Sequence, residues 1–196
     1  MTLKKYRILD ILILTVIAVI ADVLSNLASG WISAQWIFPM YIAPSIVFIV
    51  FIYIRWNYAG VFSHLGLLGV QMLLLRNELF SNAWLLLAFI IGYLSIAWVL
   101  LLRPKQSNIL RSRKKTLLIY FLATLGIMIT LESIVLMITP IDGTVVDLLF
   151  RHLVNFIMLL IVFMIAQRQK DFLTDMKSYL IKVEKERNEK EKNYDG

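Results

Sequence analysis

Asp22 and Asn26 stand four residues apart inside an otherwise apolar run, so on a helix both face the same way. Glu132 interrupts another apolar run, and Asp147, Arg151, His152 and Asn155 crowd the start of a third. Ionisable side chains inside such runs are costly to bury and default to functional roles. Acids, amides, one guanidinium and one imidazole suit recognition of a small polar molecule through charge and hydrogen bonds. Trp31 and Trp36 flank Gln35 between two of the runs, where a flat ring could stack on them. Each of these residues also has a plainer role open to it. Arg151 follows Asp147 at the favourable spacing for a helical ion pair, and His152 can serve as a helix-contact residue. The two Trp residues and Tyr41 can belong to an interfacial aromatic belt, as can Trp56, Tyr58, Trp84 and Trp98.

Several chemistries are excluded. The chain has no Cys, which removes disulfides, thiolate catalysis and Cys-ligated metals. His64 and His152 lie in different runs with no metal-ligand spacing, so no metal is expected. There is no nucleophile elbow and no Walker-type glycine loop. An enzyme is not expected, nor is any cofactor.

The elements that must position these residues are membrane spans. Hydrophobic residues make up 60% of the 196, with a mean hydropathy of +0.77. Crossing ~30 Å of hydrocarbon takes about 20 helical residues, and six runs meet that need. They cover residues 8–29, 39–55, 58–75, 83–102, 116–138 and 145–166. Pro39 and Pro44 fall in the first two turns of the second run, where a missing N–H costs little. Runs of this length are helices rather than barrel strands. Eighteen of the 20 Lys and Arg residues then fall on one side, all except Arg76 and Arg151. By the positive-inside rule both termini are cytoplasmic, and the chain is an all-α integral membrane protein of the cell membrane. The net charge of +7 lies beside span ends, suiting lipid headgroups rather than nucleic acid.

Depth along the spans puts Asp22, Asn26, Glu132, Asp147, Arg151, His152 and Asn155 in the outer half, beneath the Trp31–Trp36 loop. Arg76 and Glu78 cap the turn between spans 3 and 4. Asp10 lies near the inner end of span 1 and is expected to snorkel or to pair with Lys4 or Arg7. Small residues stripe span 1 at Ala18, Ala21, Ser25, Ala28 and Ser29, and span 3 at Ala59, Gly60, Ser63, Gly66 and Gly69. Such stripes let helices approach closely in lipid. Internal packing is the first expectation; the alternative is that Ala18, Ala21 and Ser25 face another membrane subunit.

Residues 1–166 thus form one transmembrane domain, and residues 167–196 a charged cytoplasmic tail. In the tail Phe172, Met176, Tyr179, Leu180 and Val183 recur at helical spacing before the pattern gives way to alternating Glu and Lys.

The small-residue stripe of span 1, the Trp-bearing outer loop and the stretch Ser45–Gly69 with Arg55-Trp56-Asn57-Tyr58-Ala59-Gly60 at its turn resemble the substrate-binding S components of energy-coupling factor (ECF) vitamin transporters. Span 6 running into Arg168-Gln169-Lys170-Asp171, with Tyr179-Leu180 beyond, is similar to members with a charged tail. The resemblance implies uptake of a scarce small molecule, such as a vitamin or precursor, from outside. A membrane coupling subunit and paired ATPases would drive release inside. Asp22, Asn26, Glu132, Asp147, Arg151, His152 and Asn155 would then face the ligand, with Trp31 and Trp36 as a lid. A second expectation is a membrane sensor or scaffold acting through its tail. A stand-alone carrier is less expected, since span 6 has no Pro or Gly break.

Overall fold

The computed structural model describes residues 3–32, 41–102, 114–139, 145–168 and 176–194, and among these there is no strand. The order is α1 (Leu3–Ile32), α2 (Ser45–Trp56), a 3₁₀ turn (Asn57–Gly60), α3 (Val61–Leu74), the short α4 (Arg76–Leu79) and α5 (Ala83–Leu94). A 3₁₀ segment (Ser95–Leu102) follows, then α6 (Lys114–Met137), α7 (Val145–Arg151), α8 (Leu153–Arg168) and α9 (Met176–Tyr194). Among the described residues, three helical stretches are long and apolar enough to cross a membrane: Leu3–Ser29, Ser45–Leu74 and Ala83–Leu101. Apolar helices of this kind are compatible with a membrane protein.

The second stretch is a hairpin rather than one rod. Asn57 holds a φ of 58°, the only positive value at a non-glycine among the described residues, and reverses the chain. The legs are antiparallel: Tyr53 meets His64 near the turn, and Ser45 meets Gln71 at the far end. Gly60 permits the approach, because a Cβ there would sit 2.6 Å from Ile52 Cγ2.

α2 is the centre of the bundle. Ten of its twelve residues are buried, and its apolar residues run all round the helix, the pattern of a fully enclosed element. α1 packs on α2 and α3, while α6 packs on α5, the 3₁₀ segment and α8. The outer face of α1 exposes Leu9, Leu12, Ile13, Val16, Ile20, Leu24 and Leu27, and its inner face buries Ala18, Asp22 and Ser29. Thr15 ties that inner face to Ser63 of α3 at 3.0 Å. Of the small residues that could meet another subunit, Ala18 is fully buried in the core, while Ala21 and Ser25 are half-buried.

Two sequence expectations are revised. The second apolar run becomes helical at Ser45, not Pro39: residues 41–43 are not helical, and Pro44 takes the N-cap position. Asp10 pairs neither with Lys4 nor with Arg7. Its carboxylate takes Nε and Nη2 of Arg55 at 2.9 and 3.0 Å, and also the indole N–H of Trp56. The physical reason is geometric. α2 ends beside the first turns of α1, and the Arg55 fork offers a bidentate contact that a flexible lysine on the same helix cannot. Trp56 is therefore buried, and Trp98 donates to Thr124 Oγ1 at 3.2 Å.

In α9, Lys182–Glu186 and Lys185–Glu189 form exposed pairs four residues apart, worth about 0.3–0.5 kcal/mol each. The helix packs on α2, with Met176 buried.

Candidate functional site

The site is built around the start of α2. Proline has no N–H and no side-chain oxygen, so Pro44 cannot cap the helix it precedes. The first N–H of α2, that of Ser45, instead donates to Asp22 Oδ1 at 2.9 Å. The cap is thus supplied by another helix, and a carboxylate sits where the helix dipole is positive. The next donors are also taken: Ile46 N–H reaches Ala43 O at 3.1 Å, and Val47 and Phe48 N–H reach Pro44 O at 3.0 and 3.4 Å.

Residues 41–43 carry backbone groups that no helix satisfies, and buried groups of that kind need partners. Asn155 of α8 provides two. Its Oδ1 accepts from Ala43 N–H at 2.8 Å and its Nδ2 donates to Tyr41 O at 2.7 Å. The carbonyl of Arg151 accepts from Tyr41 N–H at 3.1 Å. That carbonyl lies where the α7–α8 path is interrupted at His152, with neither Pro nor Gly involved.

The Tyr41 ring is fully buried at the hub. It meets the His152 and Phe89 rings edge-on, each at 5.5 Å between centroids, and the Arg151 guanidinium lies 5.7 Å from its centroid. Asp22, Glu132 and Tyr93 are all within electrostatic reach of its hydroxyl. Arg151 binds Glu78, so α7 is clamped to the α3–α5 turn. His152 Nε2 donates to Glu132 Oε2 at 2.8 Å, while Asn155 Nδ2 faces His152 Nδ1 at 3.4 Å. Those two contacts give the imidazole its proton on Nε2. Glu132 lies against the bare backbone of Gly92, where a methyl would sit 2.6 Å from Oε1.

A second set of polar contacts joins α2, α3 and α5. Ser45 Oγ accepts from Tyr93 Oη at 2.9 Å and from Gln71 Nε2 at 3.4 Å. His64 Nε2 donates to the Tyr93 carbonyl at 3.0 Å, so its Nδ1 accepts from Tyr53 Oη at 2.6 Å.

Three oxygens in this region have no hydrogen-bond partner among the described residues: Asp22 Oδ2, Tyr41 Oη and Glu132 Oε1. Each belongs to a side chain at least nine-tenths buried. A buried polar atom left so costs about 1–3 kcal/mol, so each of the three calls for a partner such as a water, an ion or a ligand.

Of the residues singled out from sequence, the fold brings together Asp22, Glu132, Arg151, His152 and Asn155. Asn26 is only half-buried, one turn beyond Asp22, and takes part through its carbonyl, which accepts from Ser29 Oγ. Arg151 pairs with Glu78; the Asp147 side chain, like that of Trp31, lies outside what is described, and so does the whole of Trp36. Sequence reasoning missed Tyr41 as a hub, and missed Ser45, Gln71, Tyr93 and Gly92. The spacing of Pro39 and Pro44 was the available signal for a non-helical stretch, and Gln71, a lone amide in an apolar run, was another. No family model matches the chain, nor does any characterised protein or solved structure.

Proposed function

We propose that this chain is the substrate-binding membrane subunit of an ECF-type uptake transporter, taking a small molecule such as a vitamin or its precursor. One observation carries the proposal. Polar side chains from α1, α6, α7 and α8 converge on the unwound start of α2 and leave three buried oxygens unpartnered. Unwound backbone at membrane depth is tolerated where it is buried in protein or lines a cavity, and substrate sites in transport proteins use such interruptions. In this reading the six apolar runs span the membrane with both termini inside. The site then opens outward. Lipid would surround the apolar face of α1, and the half-buried Ala21 and Ser25 would approach a coupling subunit. ATP would act only through partner ATPases.

The test is affinity capture of the tagged full chain in mild detergent from its native membrane, with mass spectrometry of proteins and small molecules. Recovery of a membrane coupling protein with ATPases supports the proposal. A reproducible complex without any ATPase overturns it.

A sensor or scaffold acting through the tail is the second reading. It is favoured by one contact: α9 packs on α2, the helix whose first residue is held by Asp22. Recovery of a kinase or an envelope-assembly protein would support it.

A further inference from the structure

Donors and acceptors in the cluster are unequally used. The N–H groups at the start of α2 are all taken, as are Tyr41 N–H, Ala43 N–H, both hydrogen-bonding atoms of the Asn155 amide and His152 Nε2. Arg151 keeps further N–H groups, but its charge is matched by Glu78. What remains are two carboxylate oxygens, Asp22 Oδ2 and Glu132 Oε1, with the Tyr41 hydroxyl, able to donate or accept, beside them. The Ser45 and Gln71 side chains also stand within reach of Asp22. Charge is unbalanced in the same sense. Among the described side chains, three acids, Asp22, Glu78 and Glu132, stand with one arginine, and the His152 imidazole faces Glu132 through Nε2.

An anionic ligand would find the helix-terminal donors occupied and two acids in its path. A ligand that donates N–H bonds and carries positive charge would supply what both acids lack. Among the described residues no three His, Asp or Glu side chains come close enough together to hold a metal ion. An organic cation fits the two acids better than a metal does; Tyr41, Phe89 and Tyr93 pack on one another beside them, with centroids 5.5 and 5.7 Å apart.

We infer that the site takes an organic cation, a protonated amine or amidine, whose N–H groups bond Asp22 Oδ2 and Glu132 Oε1 beside the Tyr41 hydroxyl. This rests on the cluster being the ligand site of the proposed transporter.

The experiment uses the full chain in lipid nanodiscs and follows thermal unfolding with phenethylamine, tyramine and histamine. Each amine is compared with the carboxylate and the alcohol on the same skeleton, and sodium chloride is added alone as a further arm. At least one amine is expected to raise the unfolding midpoint while its acid and alcohol counterparts do not. Asp22→Asn and Glu132→Gln are each expected to weaken that amine about tenfold or more, the loss of a charge-assisted contact. Asn at 22 keeps the oxygen that caps α2, so this variant retains its fold; Phe156→Ala, on the exposed face of α8, is expected to leave binding unchanged. The inference is overturned if a carboxylate or alcohol stabilises as well as its amine, if sodium alone reproduces the shift, if no amine shifts the midpoint, or if both variants bind as the parent does. Affinity capture reads the other question separately: amine binding without ATPases removes the transporter reading alone, and carboxylate binding with ATPases removes this inference alone.

Discussion

Gly92→Ala is the sharpest test of how Glu132 is held. A Cβ at residue 92 would sit on Glu132 Cγ, 2.6 Å from Oε1 and 2.9 Å from the carboxyl carbon, against 3.4–4 Å for ordinary contact. The carboxylate must therefore retreat by about 1 Å, since overpacking forces its neighbours to move. It cannot do so freely, because Oε2 is bonded to His152 at 2.8 Å, and His152 packs on Tyr41. Either that bond breaks, at about 1.5–3 kcal/mol for a charged acceptor, or the helices separate at a similar cost of about 1–3 kcal/mol. We expect a loss of ~2–3 kcal/mol, well above the gain of up to ~1 kcal/mol that Ala brings to a helix over Gly. The assay is reversible unfolding in mixed micelles followed by circular dichroism, run as a double-mutant cycle with Glu132→Ala. On the truncated background the methyl has nothing to meet, so Gly92→Ala should be neutral or stabilising, giving a coupling of about 2–3 kcal/mol. Equal cost on both backgrounds would show that Glu132 does not occupy the space above Gly92.

Two further perturbations address the frame of the site. Asn155→Ala strips the partners from Ala43 N–H and Tyr41 O together, and should cost about 2–5 kcal/mol in the same unfolding assay; a loss below that of Phe156→Ala, at an exposed position of α8, would contradict the clamp. At the other end of α2, a cycle on Asp10→Ala and Arg55→Ala should show coupling of about 1–3 kcal/mol; additive effects would mean that the bidentate contact does not join α1 to α2.

Five of the polar residues in the cluster were legible because burying a charged or amide side chain in an apolar run is costly one residue at a time. The small-residue stripe of span 3 was not borne out at Gly66 or Gly69, where no atom of the described residues lies within 4 Å of the place a Cβ would take. Asp22 or Glu132 inside an apolar run is conspicuous whatever the fold. Partner choice was not legible. Asp10 had basic residues nearby in sequence, yet Arg55 and Trp56, 45 and 46 positions away, hold it. Arg151 had Asp147 one turn back, and Glu78 takes it from 73 positions away. Pairing across helices depends on which faces meet, and apolar periodicity says little when a helix such as α2 is hydrophobic all round. Tyr41 illustrates the same limit. A tyrosine beside two prolines and a tryptophan-bearing loop has the signature of an interface residue, and only the clamp on residues 41–43 turns it inward.

That clamp also has a consequence for biogenesis. The two bonds that satisfy Ala43 N–H and Tyr41 O reach across 112 and 114 residues of sequence. During synthesis, α1 and α2 emerge long before α8 exists, so the unwound segment must wait with its amides unsatisfied by protein. If the apolar runs span a membrane as proposed, such a segment cannot rest in hydrocarbon in that interval and stays hydrated at the surface or shielded within the insertion machinery. The central helix of the bundle would therefore be among the first to be made and among the last to settle.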